Sequence, residues 1–271
     1  MRFAEILELE PAGEDTWLGH GPDYPWGGVY GGQIACQALR AASASVGEGF
    51  AVHSLHAYFI RPGDTKQPIR YRVDRVREGR SFCTRRVAAV QSEKTILELY
   101  SSFMLSEEGP DVEPEPMREV PAPETLPNTA WAPYFQRRLI PGSAPSAEDG
   151  KPTIGSAAWF KLEESLGDDP VLQACALTFL SDDLPTEAVA MRHPARPRTL
   201  DGFWWASLDH SVWFHRPVRN DQWCLHDFNA QSLVGARGLA NGRIYSADGV
   251  HVATVAQEIV YRARRDRQGG A

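Results

Sequence analysis

Three polar residues stand in apolar company, where a buried polar group is costly unless it is hydrogen-bonded: Asp182, Ser207 and Gln257. Gln257 lies in the strand-like run 250–261, where alternation gives it one face with Ala253, Val255, Ile259 and Tyr261. Asp182 follows directly on the apolar run Val171–Leu180, at a helix end whose dipole disfavours an acid. Ser207 falls in the run 202–215, sharing a face with Asp209, Ser211 and Trp213. Taken singly, each has a plainer role: an amide tying down backbone, a solvated acid, an ordinary strand serine. Taken together they can activate water. The carboxylate accepts the proton, and the amide and hydroxyl orient the molecule that loses it. An oxyanion also needs N–H donors. The Gly31-Gly32 turn into a helix offers them, so the backbone at Gly32 and Gln33 is the candidate oxyanion and substrate-binding region.

Other chemistries find little support. There is no Gly-x-Ser-x-Gly elbow, and no Gly-rich phosphate loop or dinucleotide fingerprint. His53 and His56 are three apart, and His210 and His215 five apart, within strand-like runs. Odd separations on a strand place partners on opposite faces, so neither pair chelates one ion and no metal is expected. Cys36, Cys83, Cys175 and Cys224 form no CxxC pair and read as buried thiols. A net charge of -7 argues against binding nucleic acid through its backbone. No segment approaches the ~20 apolar residues of a membrane span, and the N-terminus lacks a signal-peptide core, so a cytoplasmic protein without membrane partners is expected.

The elements that must position these residues come in two sets. Ten of the 20 prolines fall between 110 and 152, a density that suppresses helix and sheet interiors. Trp131, Pro133, Tyr134 and Phe135 suggest that part of this stretch packs down. Upstream, Gly31-Gly32 opens a helix with Ile34, Ala35, Ala38, Leu39 and Ala42 at helical spacing, followed by strand-like runs at 52–61, 68–77, 81–91 and 94–105. Downstream, Pro170 begins a helix apolar nearly all round, followed by runs at 202–215, 222–232, 234–246 and 250–261. Tyr58-Phe59-Ile60-Arg61-Pro62 echoes Trp213-Phe214-His215-Arg216-Pro217. The fold class is therefore α+β, two tandem units each with an antiparallel sheet wrapped around a long helix. The expected division is 1–109, a proline-rich linker at 110–152, a second unit at 153–262 carrying the site, and a polar tail at 263–271.

The motifs themselves resemble a known family. Gly31-Gly32-Gln33, Ser54-Leu55-His56-Ala57-Tyr58-Phe59-Ile60-Arg61-Pro62-Gly63, Gly79-Arg80-Ser81-Phe82, Ser181-Asp182, Ser207-Leu208-Asp209-His210-Ser211-Val212-Trp213-Phe214-His215-Arg216-Pro217 and Gln257-Glu258 occur in the order found in type II acyl-CoA thioesterases, from about residue 16 to 262. The resemblance implies a double hotdog that hydrolyses fatty acyl-CoA without a cofactor. It further implies a catalytic trio of Asp182, Ser207 and Gln257 in the second hotdog, and assembly into a homodimer or homotetramer. The family's hydroxyl residue is often threonine, so Ser207 keeps the hydroxyl and loses the methyl that restricts its rotamer. The internal alignment sets Ala44 opposite Asp182 and Ser102 roughly opposite Gln257, so one site per chain is expected. Arg75, Arg77 and Arg80, or Arg192, Arg196 and Arg198, could meet the CoA phosphates. A non-catalytic acyl-CoA-binding protein of the same fold is the alternative; a hydratase of this fold is a weaker one.

Overall fold

The structure, a computed structural model, describes residues 1–112, 115–142, 155–193 and 203–263. Helix α1 (Phe3–Ile6) and strands β1 (Leu9–Pro11) and β2 (Thr16–Gly19) lead into the long helix α2 (Gly31–Ala44). Strands β3 (Phe50–Phe59), β4 (Ile69–Glu78), β5 (Phe82–Gln91) and β6 (Lys94–Leu105) complete the first unit. Then come β7 (Phe135–Leu139), β8 (Gly155–Leu162), α3 (Pro170–Ser181) and α4 (Pro185–Arg192). The chain ends in β9 (Phe203–Ser207), β10 (Asp209–Phe214), β11 (Cys224–Val234), β12 (Arg237–Ser246) and β13 (His251–Ala263).

All strand pairings are antiparallel, in the order β1-β2-β4-β5-β6-β3-β10-β13-β12-β11-β8-β7, with β9 also on β13. Tight turns with positive φ at Ser92 and Glu93, and at Gly235 and Ala236, match the twist of their hairpins. The first half of this sheet packs on α2, as the repeat predicts, while the strands of the second half pack on α4, and α3 lies against α2 and β3. The halves join where β3 pairs with β10, Asp209 opposite Tyr58 through Trp213 opposite Ser54. The echoing Arg-Pro motifs therefore begin at the seam.

The helices form for different reasons. In α2 the residues Ile34, Ala35, Ala38, Leu39, Ala41 and Ala42 are buried. Its two buried glutamines are satisfied: Gln37 donates to the Ile6 and His20 carbonyls and accepts from Tyr71, while Gln33 accepts from Tyr24. In α3 the Asp169 side chain accepts from the Val171 and Leu172 N–H groups, Pro170 occupies the first turn, and everything from Gln173 to Ser181 is buried. Such a helix needs covering, and α2 packs along it with β3 beside it.

Two expectations are refined. The proline-rich stretch is not merely a connector: β7 lies within it and pairs with β8, Phe135 opposite Leu162. Trp131 packs its ring 5.2 Å from Tyr30 and 5.0 Å from Phe135. The run 202–215 is not one regular strand either. Ser207 pairs with Ile259 and Ser211 with Ala256, so four steps on one strand face three on the other. The extra residue is a bulge at Leu208. The Asp209 carboxylate accepts from the Glu258 N–H at 2.7 Å beside it.

Candidate active site

Asp182 terminates α3 and is 6% exposed. Its own helix dipole is unfavourable there, and the structure supplies the compensation from the other unit. The N-terminus of α2 abuts the carboxylate, and the Gly32 backbone amide favours its charged form. The approach is so close that a Cβ on Gly31 would lie 2.8 Å from Asp182 Oδ2, and one on Gly32 would lie 2.5 Å from the Phe179 carbonyl oxygen. Glycine at both positions is a steric requirement of this helix-to-helix contact.

Gln257 is fully buried on β13 and points inward, as alternation predicts. Its Nε2 donates to Asp182 Oδ1 at 2.9 Å and to Ser207 Oγ at 2.7 Å, while Ser207 Oγ lies 3.4 Å from Asp182 Oδ1. Side chains 75 and 50 residues away from Gln257 in sequence thus meet at one point.

The face assigned to Ser207 needs correcting. Regular alternation groups it with Ser211 and Trp213, but the bulge at Leu208 reverses the parity, so Ser207 and His210 both face inward. His210 is the residue that the sequence reasoning missed. It is fully buried, with Nδ1 2.6 Å from Gln257 Oε1 and Nε2 2.9 Å from Ser181 Oγ. A signal existed: His210 alternates with Val212 on the face opposite Ser211 and Trp213.

Burial pushes the Asp182 carboxyl up to about 7. Hydrogen bonds from Gln257, Gly32 and Ser207 pull the other way, and the neighbouring Asp183 adds to the rise. Asp183 is itself tied down. Its carboxylate accepts from the Trp131 indole and lies 2.9 Å from Arg137 Nε, and Arg137 also pairs with Glu187. This cluster holds the residue next to Asp182. On the other side stands Tyr30, whose hydroxyl donates to the Phe179 carbonyl at 3.0 Å.

The oxyanion candidates divide. Gly32 reaches the site through its N–H. The Gln33 N–H goes to the Tyr30 carbonyl at 3.1 Å, and its side chain lies on a separate network with Tyr24 and Gln37. Among the phosphate candidates, Arg75 is paired with Asp15 at 2.7 Å, while Arg196 and Arg198 lie outside the described residues.

The first unit holds no copy of this arrangement among its described residues. One step beyond the Ser211–Ala256 pair, His210 and Gln257 are neighbours across strands. The corresponding pair on β3 and β6 is Leu55 opposite Ser101, both buried. Ser101 rather than Ser102 is therefore the counterpart of Gln257, since Ser102 turns outward to His53.

Comparison with known proteins gives a consistent picture. The family model of the acyl-CoA thioesterase C-terminal domain matches residues 111–261, and that of the N-terminal domain matches residues 21–104. Acyl-coenzyme A thioesterase 8 of Homo sapiens is 34% identical over 284 residues, covering 96% of this chain and 88% of the human protein. Acyl-CoA thioesterase 2 of Haemophilus influenzae is 34% identical over 278 residues, covering 95% of this chain and 96% of its own. The crystal structure of acyl-CoA thioesterase II TesB2 from Mycobacterium marinum superposes with a TM-score of 0.85 at 34% identity, covering 98% of this chain and 99% of that one. A hot dog fold protein of Alicyclobacillus acidocaldarius, 21% identical with a TM-score of 0.82, shares the fold across 97% of this chain. The chain belongs to the acyl-CoA thioesterase family, with both of its hotdog domains in one polypeptide.

Proposed function

We propose that this chain hydrolyses fatty acyl-CoA thioesters to free fatty acid and CoA, with Asp182 as the general base of a single site in the second hotdog. The observation that carries this reading is the shared Gln257 Nε2, which bonds Asp182 and Ser207 at once and so gathers carboxylate, hydroxyl and amide at one point. Asp182 takes a proton from that water, and the oxygen attacks the thioester carbonyl carbon. The carbonyl electrons move onto oxygen, where the electropositive N-terminus of α2 around Gly32 stabilises them. Collapse of this intermediate breaks the carbon–sulfur bond. The departing CoA thiolate takes up the proton held by Asp182, which regenerates the base. A carboxyl titrating near 7 suits both steps at neutral pH.

The deciding experiment follows thiol release from a medium-chain acyl-CoA with a colorimetric reagent, for the native protein and for Asp182→Asn. Hydrolysis by the native protein and its loss in the variant support the reading. Binding of acyl-CoA by calorimetry with no thiol released would instead support a non-catalytic binding protein.

The assembly belongs to the same proposal. Tyr58, Tyr100 and Trp213 are exposed on the outer face of strands β3, β6 and β10, and this apolar surface supports a homodimer or homotetramer of double units. Light scattering on the purified protein reads the mass directly.

A further inference from the structure

We propose that His210 is a positioning residue: its Nδ1–H holds the Gln257 carboxamide in the one orientation that turns both amide N–H groups toward Asp182 and Ser207. This rests on the reading of Gln257 as a water-orienting group.

Three observations carry it. First, Gln257 Nε2 lies between two oxygen acceptors, at 2.9 Å from Asp182 and 2.7 Å from Ser207. Turning the amide by half a rotation would set its carbonyl oxygen against the carboxylate. Second, Gln257 Oε1 can only accept, so at 2.6 Å from His210 the ring must carry its proton on Nδ1. Third, Ser181 Oγ, 2.9 Å from Nε2, can give its one proton to the nitrogen that is then bare, in place of the Thr178 carbonyl that also lies in reach at 3.1 Å. Burial holds the His210 ring down at about 4, so it is neutral at working pH and carries one N–H, not two. The donors therefore run one way: Ser181 to His210, His210 to Gln257, Gln257 to Asp182 and Ser207. Ser181 is the last residue of α3, so the chain returns to the residue beside the base.

The internal repeat adds an independent argument. Where the second unit has His210 beside Gln257, the first has Leu55 opposite Ser101. The imidazole and the carboxamide are present together in one unit and absent together in the other. A histidine needed only to fill the core would have no reason to follow the amide.

Losing this hydrogen bond frees the carboxamide to rotate. Its carbonyl oxygen would then face Asp182, disfavouring the carboxylate and raising its pKa further. The other groups facing Asp182 would be unchanged: Asp183 from the end of α3, Tyr30 and the Gly32 N–H from the start of α2, and Ser207 from β9.

The test compares His210→Leu with His210→Asn, whose side-chain amide can donate from nearly the position of Nδ1. Acyl-CoA hydrolysis is measured across pH for both. His210→Leu should lower kcat by about tenfold to a hundredfold, as loss of one well-placed hydrogen bond does, with KM little changed. The acidic limb of its kcat/KM profile should move to higher pH. His210→Asn should recover most of kcat and return the limb. A Leu variant within twofold of native kcat, or an Asn variant as impaired as Leu, overturns the proposal. Gln257→Ala separates the two readings. If it is impaired while His210→Leu is not, only the positioning role falls. If it is fully active, the water-orienting role of Gln257 falls as well. Should His210→Leu fail to fold, Ser181→Ala tests the chain from its far end: a shifted limb supports the chain, and an unshifted one overturns it.

Discussion

Gly31 stands so close to Asp182, a residue of the other hotdog, that an added Cβ would lie 2.8 Å from its carboxylate oxygen. The proposed base belongs to one unit and part of its electrostatic environment to the other, because α2 and α3 pack side by side and antiparallel, which sets the N-terminus of α2 beside the C-terminus of α3. A second hotdog alone would leave Asp182 at the unfavourable end of its own helix.

Asp182→Asn keeps the size of the side chain and removes the base. Thiol release should fall by about 10²–10⁴ in kcat. Full activity in this variant would remove Asp182 from the mechanism.

The pH dependence has a definite sign. With its carboxyl at about 7, Asp182 is protonated below that value, so kcat/KM should rise with pH through a transition near 7. Stability should move the opposite way. The folded pKa is raised above the ordinary carboxylate range, so between about 4 and 7 the folded state holds a proton that the unfolded state has lost. This contribution is fully present below the unfolded value and is lost as pH rises through about 7. Native stability relative to Asp182→Asn should fall by up to ~1.4 kcal/mol per pH unit across that window. Urea midpoints of both proteins at pH 5 and pH 8 measure it, and parallel midpoints would contradict it.

Ser207 offers a graded pair. Ser207→Ala removes the Gln257 acceptor and one handle on water, and kcat should drop about tenfold or more. Ser207→Thr restores a hydroxyl with a stiffer rotamer and should hold or exceed native activity. Steady-state kinetics of the two variants decide the matter; equal rates for alanine and threonine would show that the hydroxyl is idle.

Gly32→Ala tests the close approach of the helices. A Cβ there meets the Phe179 carbonyl at 2.5 Å, and backbone cannot yield as a flexible side chain does. Overpacking of this kind costs about 1–3 kcal/mol, and the shift of α2 should also reduce activity. Thermal melts and thiol release on one sample read both effects.

Arg137→Met should be the most destabilising of these changes. It leaves Asp183 and Glu187 buried without their cation, which costs about 3–5 kcal/mol. A denaturant midpoint close to native would mean that Trp131 and water suffice for Asp183.

Local pattern determined much of this protein. Helical spacing from Ile34 to Ala42, the all-round apolar run ending in Leu180 and the alternating strands are set by residues near one another, and so is the repeat that makes two units. That Asp182, Ser207 and Gln257 meet was legible because each breaks the apolar pattern around it. What sequence left undetermined depends on contacts between distant segments. Strand β7 forms within a proline-rich stretch because the edge of β8 is there to pair with it. The bulge at Leu208 exists because Ser207 and Ser211 must register on one neighbouring strand, and it alone puts Ser207 on the inward face with His210. The compensation of Asp182 by α2 arises only once two helices far apart in the chain meet. Periodicity is a property of neighbours along the chain; register, bulges and helix-end contacts are properties of neighbours in space, and tertiary structure alone decides them.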